Sequence, residues 1–424
     1  MKKISTLSLL ILLFSLSLQA IACAEPFVKN EVLLQKGADS YVEARHIVIR
    51  GNNEEIGKAL ADIAQKDYGV KALAKYPDEV YRKAIDIYLQ NHYPALRERA
   101  MGVARSYHAK YDQSLSIFSQ LAYDAGPWNG CSSVYYPPSY TPGGAGMLAH
   151  NMDYPLCSIK KLLKIHGEDS PPMFTRNYVV ELYPDKGYAS IGVGTGDLLS
   201  VVSGMNEKGL IAALHTDNYT MINTDPKPDI SGLIFPTQVV RYILDNCRTV
   251  EEAKIAVLNH KLSLTFEPAH LLIADREGKS LVVEINPKNM RVELTENSGK
   301  PQPFTNHPLY RFSDPQEFPS YGPLELDNTF MRYNQLSDLL KGKKQFSPDD
   351  ALANQVAVLA RWNNPKRGMA NPTIPNRTIW TDIFDQKDLT MKVRFYMKDS
   401  AAQDDLGDPQ SLVFSDFFRF ALKR

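Results

Sequence analysis

The sequence predicts an α+β fold in which sheets and helices form separate layers. Short β-rich runs cluster between residues 146 and 219, two helical patterns follow together over residues 235–260, and strands then resume. Helices grouped between blocks of strands favour this class over a doubly wound parallel sheet, which needs a helix between successive strands. No internal repeat and no low-complexity tract interrupts the pattern.

The first 24 residues are typical of an export signal. Two lysines precede an apolar run over residues 7–18, and small residues follow up to Ala24. The run is too short for a spanning helix, which needs about 20 apolar residues. Ala20-Ile21-Ala22-Cys23 also resembles a bacterial lipobox, so lipidation at Cys23 and simple cleavage after Ala22 or Ala24 both stay open. We expect an exported protein that is periplasmic, secreted or lipid-anchored in the cell envelope.

Residues 25–130 are predicted to be mostly helical. A strand is predicted over residues 46–50, and Asn53 is the expected N-cap of a helix whose apolar residues share one face. A second helical pattern runs from residue 78 to about 107. Pro94 should break or kink this second pattern, because proline lacks the backbone N–H that a helix needs.

Beyond residue 131 the sequence predicts strands with helices between them. The predicted strands are residues 147–151, 178–182, 188–192, 210–216, 270–274, 280–285 and a late hairpin of 378–384 and 389–396. Helices are predicted over residues 235–246 and 250–260, and a third begins at Ser347 with Pro348 at its first position. The glycine-rich residues 192–196 are predicted as a turn between strands, because no helix with a following Lys-Ser/Thr succeeds them.

The composition is that of an ordinary soluble globular protein. Hydrophobic residues make up 44%, the mean hydropathy is −0.30, and 48 basic residues balance 48 acidic ones, so nothing points to nucleic acid or to an anionic surface. The nine histidines lack metal-ligand spacing, and there is no P-loop, GxGxxG or HExxH motif, so we expect neither a metal nor an organic cofactor. Cys157 and Cys247 could form a disulfide in an oxidising compartment.

Gly130-Cys131-Ser132-Ser133 is the segment that carries most information about chemistry. If the Gly130–Cys131 bond breaks, Cys131 gains a free α-amine beside its own thiol. Such an amine titrates at about pH 7.7–8.0 and can take the thiol proton at neutral pH, so one residue supplies nucleophile and base. A lone cysteine is more often a buried structural residue, and the tetrapeptide alone leaves both interpretations open.

Four blocks of the sequence carry a resemblance to a known family. They are, in order, Gly130-Cys131-Ser132-Ser133, Asn151-Met152-Asp153-Tyr154, Gly204-Met205-Asn206-Glu207-Lys208-Gly209-Leu210 and Thr305-Asn306-His307-Pro308. They resemble the signature blocks of the linear amide C–N hydrolases of the N-terminal-nucleophile (Ntn) superfamily. That group includes choloylglycine (bile salt) hydrolase, acid ceramidase, N-acylethanolamine acid amidase and the acyl-CoA:6-aminopenicillanic acid acyltransferase-like peptidases of the C45 type.

The resemblance extends over about residues 44–396. Residues 46–57 are similar to the pro-segment of the acyltransferase-like branch. Bile salt hydrolases have almost no residues before the cysteine, so the long segment upstream of Cys131 disfavours them. The family implies a four-layer αββα Ntn-hydrolase sandwich.

The resemblance also implies roles for individual residues. Cys131 matches the nucleophile, and Asp153 matches the aspartate that holds the α-amine of the nucleophile. Asn306 matches the asparagine whose side-chain N–H helps to form the oxyanion hole. Such a donor typically lowers the activation barrier by about 3–4 kcal/mol. Arg332 matches a later active-site arginine of the family, through a weaker local pattern.

Two histidines depart from the family pattern. His150 stands where the family usually has an arginine, and His215 replaces an asparagine that many relatives have. Both are candidates to face the substrate pocket; the alternative is that each is a strand histidine with satisfied hydrogen bonds. These departures put the substrate in question more than the chemistry.

The resemblance thus implies an enzyme that matures by its own cleavage. Residues 1–24 would be the signal peptide, residues 25–130 the pro-segment or α chain, and residues 131–424 the Ntn-hydrolase β chain, with the two cleaved chains remaining associated. The Cys131 thiolate would cleave a small N-acyl amide through a thioester, without metal, cofactor or nucleic acid, and any membrane contact would come from a lipid at Cys23.

Two alternative functions stay open at this point. An acyltransferase would move an acyl group from a thioester to an amine through the same acyl-enzyme. A non-catalytic cell-envelope binding protein could have kept the fold. His150 and His215 favour that second alternative, whereas the intact Cys131, Asp153 and Asn306 oppose it.

Overall fold

The computed structural model shows two β-sheets packed between layers of helices. It describes residues 26–71, 79–109, 111, 121, 123, 130–158, 160–161, 166, 172–217, 236–259, 268–289, 291–319, 327–362, 374–405 and 407–423. The predicted signal segment and Cys23 lie outside these residues. The α+β class and the four-layer αββα sandwich are confirmed.

Seven α-helices are present in the described residues. They are α1 (Asn53–Asp67), α2 (Glu79–His92), α3 (Pro94–Ser106), α4 (Pro236–Asn246), α5 (Val250–Asn259), α6 (Asp327–Leu340) and α7 (Pro348–Ala357). Pro94 begins α3 directly after α2 has ended, so the predicted break is confirmed. Ser347 caps α7, with its side chain accepting the backbone N–H of Asp350 and Pro348 in the first helical position, as predicted.

The cap of α1 is one residue earlier than predicted. The side chain of Asn52 accepts the backbone N–H of Glu55, and the Glu55 carboxylate accepts the backbone N–H of Asn52. Asn53, the predicted cap, is the first residue of the helix. Its side chain is buried and accepts a hydrogen bond from Nε of Arg99 at 3.1 Å, so a tertiary contact takes the place of the capping role.

Sixteen strands are present in the described residues and form two sheets. They are β1 (Phe27–Leu34), β2 (Glu43–Gly51), β3 (Gly130–Tyr136), β4 (Met147–Pro155), β5 (Arg176–Pro184), β6 (Ser190–Thr195), β7 (Ser203–Asn206), β8 (Ile211–Thr216), β9 (Ala269–Ala274), β10 (Lys279–Asn286), β11 (Arg291–Ser298), β12 (Gln302–Phe304), β13 (Asn376–Asp385), β14 (Thr390–Asp399), β15 (Leu412–Phe414) and β16 (Phe418–Ala421). The nine-stranded sheet has the order β1-β2-β5-β6-β7-β8-β9-β10-β11. The seven-stranded sheet has the order β12-β3-β4-β13-β14-β15, with β16 also paired to β14.

The helices cover the outer faces of these sheets. Helix α1 lies on β2 and β5 and packs against α3, while α4 and α5 lie on β7, β8, β9 and β10. Helices α6 and α7 lie on the other side of the molecule, against β3, β4, β12 and β13. Contacts between β3 and β8 join the inner faces of the two sheets. The inner faces carry the main apolar core, and β3 places Cys131 within it.

The segment upstream of Cys131 contributes strands as well as helices. β2 lies inside the nine-stranded sheet, antiparallel to β1 and parallel to β5, with register pairs that run from Glu43 opposite Arg176 to Gly51 opposite Pro184. The described part of residues 25–130 holds more helix than strand, in agreement with the prediction, but its strands are integral to the sheet.

The prediction of a turn over residues 192–196 was wrong for residues 192–195, and only Gly196, with a φ of 80°, lies in a bend after the strand. Gly192 and Gly194 lie inside β6, which begins at Ser190, two residues later than predicted. A Cβ at Gly194 would come within 2.4 Å of the Tyr178 hydroxyl, and one at Gly192 within 2.7 Å of the Ser203 carbonyl oxygen. The glycines allow close packing across the sheet and do not mark a turn.

Cys157 and Cys247 do not form in the structure the disulfide that the sequence left open. Cys157 lies just beyond β4 of the seven-stranded sheet. Cys247 follows α4, which covers the outer face of the nine-stranded sheet. The two thiols thus belong to different layers.

Across the described chain, the helices are too short or too polar to cross a membrane.

Candidate active site

Cys131 lies at the start of β3 with its side chain fully buried. Side chains of alternate residues share one face of a strand, so Cys131, Ser133 and Tyr135 point the same way. Ser133 bonds to His215 on β8, and the Tyr135 hydroxyl donates to the backbone oxygen of Asp275, which follows β9. Both partners belong to the nine-stranded sheet. The thiol of Cys131 therefore faces the space between the sheets.

Asn306 bridges the two sheets beside this cysteine. It follows β12, and its Oδ1 accepts the backbone N–H of Cys131 at 2.9 Å. Its Nδ2 donates to the backbone oxygen of Thr216, at the end of β8, at 2.8 Å. These two bonds fix the orientation of the amide and leave its second N–H hydrogen available for another acceptor.

Arg332, on α6, contacts the same group of residues. Its Nη1 donates to the backbone oxygen of Cys131, and its Nη2 donates to Asn306 Oδ1 at 2.7 Å. Nη1 also lies 3.5 Å from Asp153 Oδ2, and the side chain of Arg332 is only 4% exposed. One buried guanidinium thus contacts the candidate nucleophile, the candidate oxyanion donor and the candidate carboxylate.

Asp153 is the register partner of Gly130, across the β3–β4 pair. Its Oδ1 accepts the Thr378 hydroxyl at 2.6 Å. Its Oδ2 faces Gly130, since a Cβ placed there would be 3.5 Å away. Burial raises the pKa of Asp153 above its usual range, while the positive charge of Arg332 and the Thr378 bond act in the opposite direction.

His150 and His215 lie beside this group as a fully buried pair. Their ring centroids are 5.3 Å apart in a T-shaped arrangement. His150 Nδ1 is 3.0 Å from Asp382 Oδ2, and His215 Nε2 is 2.7 Å from Ser133 Oγ. The other ring nitrogen of each has no hydrogen-bond partner among the described residues. Each histidine is therefore half satisfied, which is intermediate between the two alternatives that the sequence left open.

The charge state of His215 follows from its surroundings. Burial lowers the pKa of His215 far below its usual value, and His150, His270 and Arg332 lower it further by repulsion. His215 is thus neutral at neutral pH. Asp382 Oδ2 also accepts hydrogen bonds from Ser203 Oγ and Trp380 Nε1, each at 2.9 Å. The space between the sheets at this level is polar, although apolar core surrounds it.

All of the predicted site residues come together in the structure. Cys131, Asp153, Asn306 and Arg332 form one contacting group at the Gly130–Cys131 bond, and His150 and His215 form the neighbouring pair. Sequence reasoning missed Thr378 and Asp382, which hold Asp153 and His150. The available signal was Asp382 itself, the one charged residue of the predicted strand of residues 378–384. In the described parts of the chain, no three His, Cys, Asp or Glu side chains could together hold a metal ion.

Comparison with protein families identifies the chain. Residues 138–347 match the family model described as linear amide C–N hydrolases, choloylglycine hydrolase family. These residues, just under half of the chain, have the sequence pattern of the linear amide C–N hydrolases. The matched segment includes Asp153, Asn306 and Arg332 and begins beyond Cys131. The protein is accordingly a hydrolase acting on linear amide C–N bonds.

Several solved structures are similar to this hydrolase at low sequence identity. A mutant conjugated bile acid hydrolase from Clostridium perfringens is 16% identical, with a TM-score of 0.43 over 69% of this chain and 97% of that one. Penicillin V acylase from Agrobacterium tumefaciens is 19% identical, with a TM-score of 0.38 over 64% and 83%. The N-acylethanolamine-hydrolyzing acid amidase ortholog of Caenorhabditis elegans is 15% identical, with a TM-score of 0.37 over 69% and 100%.

Proposed function

We propose that this protein is an exported amidase which cleaves its own Gly130–Cys131 bond and then hydrolyses a linear N-acyl amide through a thioester on Cys131. The observation that carries the proposal is the contact between Asn306 Oδ1 and the Cys131 backbone nitrogen at 2.9 Å. That nitrogen would become the α-amine of the mature nucleophile. Arg332 contacts both residues, and Asp153 lies opposite Gly130.

Maturation would proceed by an N-to-S acyl shift. The Cys131 sulfur attacks the carbonyl carbon of Gly130, the C–N bond breaks, and the thiol proton passes to the Cys131 nitrogen. Water then hydrolyses the Gly130 thioester, which restores the thiol and leaves a carboxylate on Gly130. The buried Asp153 carboxylate, next to Gly130, would stabilise the ammonium that forms on Cys131.

Turnover would use the same atoms. The α-amine of Cys131, with a reference pKa of about 7.7–8.0, takes the thiol proton as the sulfur attacks the amide carbonyl. The second Nδ2 hydrogen of Asn306 meets the oxyanion, and the amine product leaves with the proton. Water then attacks the thioester, the α-amine again acts as base, and the acyl group leaves as a carboxylic acid.

The proposed chains would stay together because they share buried contacts. β2 pairs with β5 along its whole length, and Arg99 of α3 forms an ion pair with Asp245 of α4 at 2.7 Å, with both side chains almost fully buried.

Export belongs to the same proposal. Lipidation at Cys23 predicts mature protein in the membrane fraction, from which Cys23→Ser should release it; unmodified protein in the cytoplasm would contradict export.

Fragment analysis of Cys131→Ala tests the mechanism. Wild type should run as two fragments, the larger beginning with Cys131-Ser132-Ser133 by N-terminal sequencing. Cys131→Ala should run as one chain and be inactive on N-acyl amino acids, N-acylethanolamines, penicillins and bile salts. Cys247→Ser, which removes a buried thiol on the far side of the nine-stranded sheet, should be cut and active like wild type. An uncut wild-type chain with amidase activity would refute the mechanism.

A further inference from the structure

Thr329 connects two of the side chains that contact Cys131, those of Asn306 and Arg332. It lies near the start of α6, one helical turn before Arg332, and is 2% exposed. Its Oγ1 accepts the backbone N–H of Asn306 at 2.9 Å, and its backbone oxygen accepts the Thr305 hydroxyl at 3.0 Å. The turn that carries Asn306 is thus bonded to the helix that carries Arg332.

His307 lies beside the Thr329 hydroxyl. Its Nδ1 lies 3.0 Å from Thr329 Oγ1, and its ring stacks on Phe330 with centroids 4.4 Å apart. Burial lowers the pKa of His307 to about 3, so the ring is neutral at neutral pH. Since the Asn306 N–H already donates to Thr329 Oγ1, the single hydroxyl hydrogen of Thr329 has two acceptors within reach. They are Thr305 Oγ1 at 3.0 Å and, in the tautomer that carries its hydrogen on Nε2, His307 Nδ1 at 3.0 Å.

We propose that Thr329 is a positioning residue that, through its hydroxyl, holds Asn306 in register with Arg332 around Cys131. This inference rests on the proposed function. Helix α6 holds Asn306 at two points: Thr329 binds its backbone nitrogen, and Arg332 binds its side-chain oxygen at 2.7 Å. Without the first bond, Asn306 keeps only its side-chain contacts and its amide can shift. A displacement of about 1 Å at a reacting centre can cost 10²-fold in rate.

A threonine series tests the role of this hydroxyl. Thr329→Val keeps the shape and removes the hydroxyl; we expect kcat per processed molecule to fall about 10- to 100-fold with KM changed less than about threefold. Thr329→Ser restores the hydroxyl and should keep kcat within about threefold of wild type. Thr141→Val is the matched control, because Thr141 is a buried threonine whose hydroxyl donates within the β3–β4 loop, and it should leave both constants unchanged.

A second variant keeps the test decisive if Thr329→Val does not fold. His307→Phe preserves a ring in the aromatic cluster and removes one of the two acceptors near the Thr329 hydroxyl, while Thr305 Oγ1 remains at 3.0 Å. It should therefore lower kcat less than Thr329→Val does, with KM unchanged. The double variant should be no slower than Thr329→Val alone, since both changes remove one hydrogen-bond chain.

The possible failures are distinguishable. A wild-type kcat in Thr329→Val, or an equal loss of kcat in Thr329→Ser and Thr329→Val, would overturn the positioning role. An inactive Cys131→Ala would in that case still support Cys131 as the nucleophile. An active Cys131→Ala would instead refute the proposed function. If Thr329 has a purely structural role, Thr329→Val should lower the urea midpoint of unfolding without lowering kcat selectively over KM. That result would also overturn the inference.

Discussion

Asp245 offers the sharpest test of how the segment upstream of Cys131 is held to the rest of the molecule. Its Oδ2 accepts Arg99 Nη1 at 2.7 Å and the Tyr93 hydroxyl at 2.9 Å, and both of these partners lie in or next to α3. The buried Arg241 also interacts electrostatically with Asp245, and it lies close enough to Arg99 for the two cations to repel each other. One carboxylate therefore compensates two buried guanidinium groups.

Asp245→Asn should be strongly destabilising. The amide keeps an oxygen for Tyr93 but removes the charge that Arg99 and Arg241 require. Removing one partner of a buried ion pair costs about 3–5 kcal/mol, because the remaining charge stays uncompensated. The side chains of Arg99 and Asp245 are 1% and 2% exposed, so solvent screening does not reduce this cost.

Urea unfolding followed by circular dichroism would measure the loss. Asp338→Asn is the matched control: the Lys341–Asp338 pair is 76% and 69% exposed, so this change should cost less than about 1 kcal/mol. Arg99→Met combined with Asp245→Asn should be less damaging than Asp245→Asn alone, because one of the two uncompensated cations is gone. A loss below about 1 kcal/mol for Asp245→Asn would refute the reasoning.

Two further predictions concern the site. Asn306→Ala should lower kcat by about 10²- to 10³-fold through the lost oxyanion donor, as rapid-quench kinetics would measure. It should also lower the unfolding free energy, measured by urea unfolding, by about 1–3 kcal/mol because Thr216 and Arg332 lose a partner. Full activity in this variant would contradict the oxyanion role of Asn306. Burial lowers the pKa of His270, but Asp217 and Glu284 together raise it above the usual value. The stability that protonated His270 gives to the folded state is therefore complete below the unfolded pKa of about 6.5. It is lost as the pH rises through the folded pKa. His270→Gln should therefore destabilise more at pH 5.5 than at pH 9, and an equal loss at both would contradict this assignment.

Local sequence signals predicted most of the regular elements. Pro94 and Ser347-Pro348 marked helix boundaries, and short β-rich runs located β4, β5 and the β13–β14 hairpin. The failures have tertiary causes. Gly192 and Gly194 lie in a strand because neighbouring groups leave no room for a Cβ, and Asn53 is buried against Arg99 instead of capping. Neither contact is visible in a local window.

The site was predictable where the residues sit in motif blocks. Cys131, Asp153 and Asn306 were found this way, and the structure brings them together with Arg332. Thr329 and Asp382 carry no such signal. Their contacts depend on which residues the fold places beside them. Thr329 is 23 residues from Asn306 along the sequence, and Asp382 is 232 residues from His150.

The position of β2 within the nine-stranded sheet has a consequence for the lifetime of the protein. If the Gly130–Cys131 bond is cut, the backbone amides and carbonyls on the β2 side of β5 remain covered only while a separate polypeptide stays in place, whereas β6 covers the other side. Loss of that polypeptide would open a sheet edge to pairing with other molecules. Refolding would then require two chains to meet, so it would depend on concentration and compete with aggregation. The survival of the mature enzyme would be set by the rate at which it opens, and its equilibrium stability would matter much less.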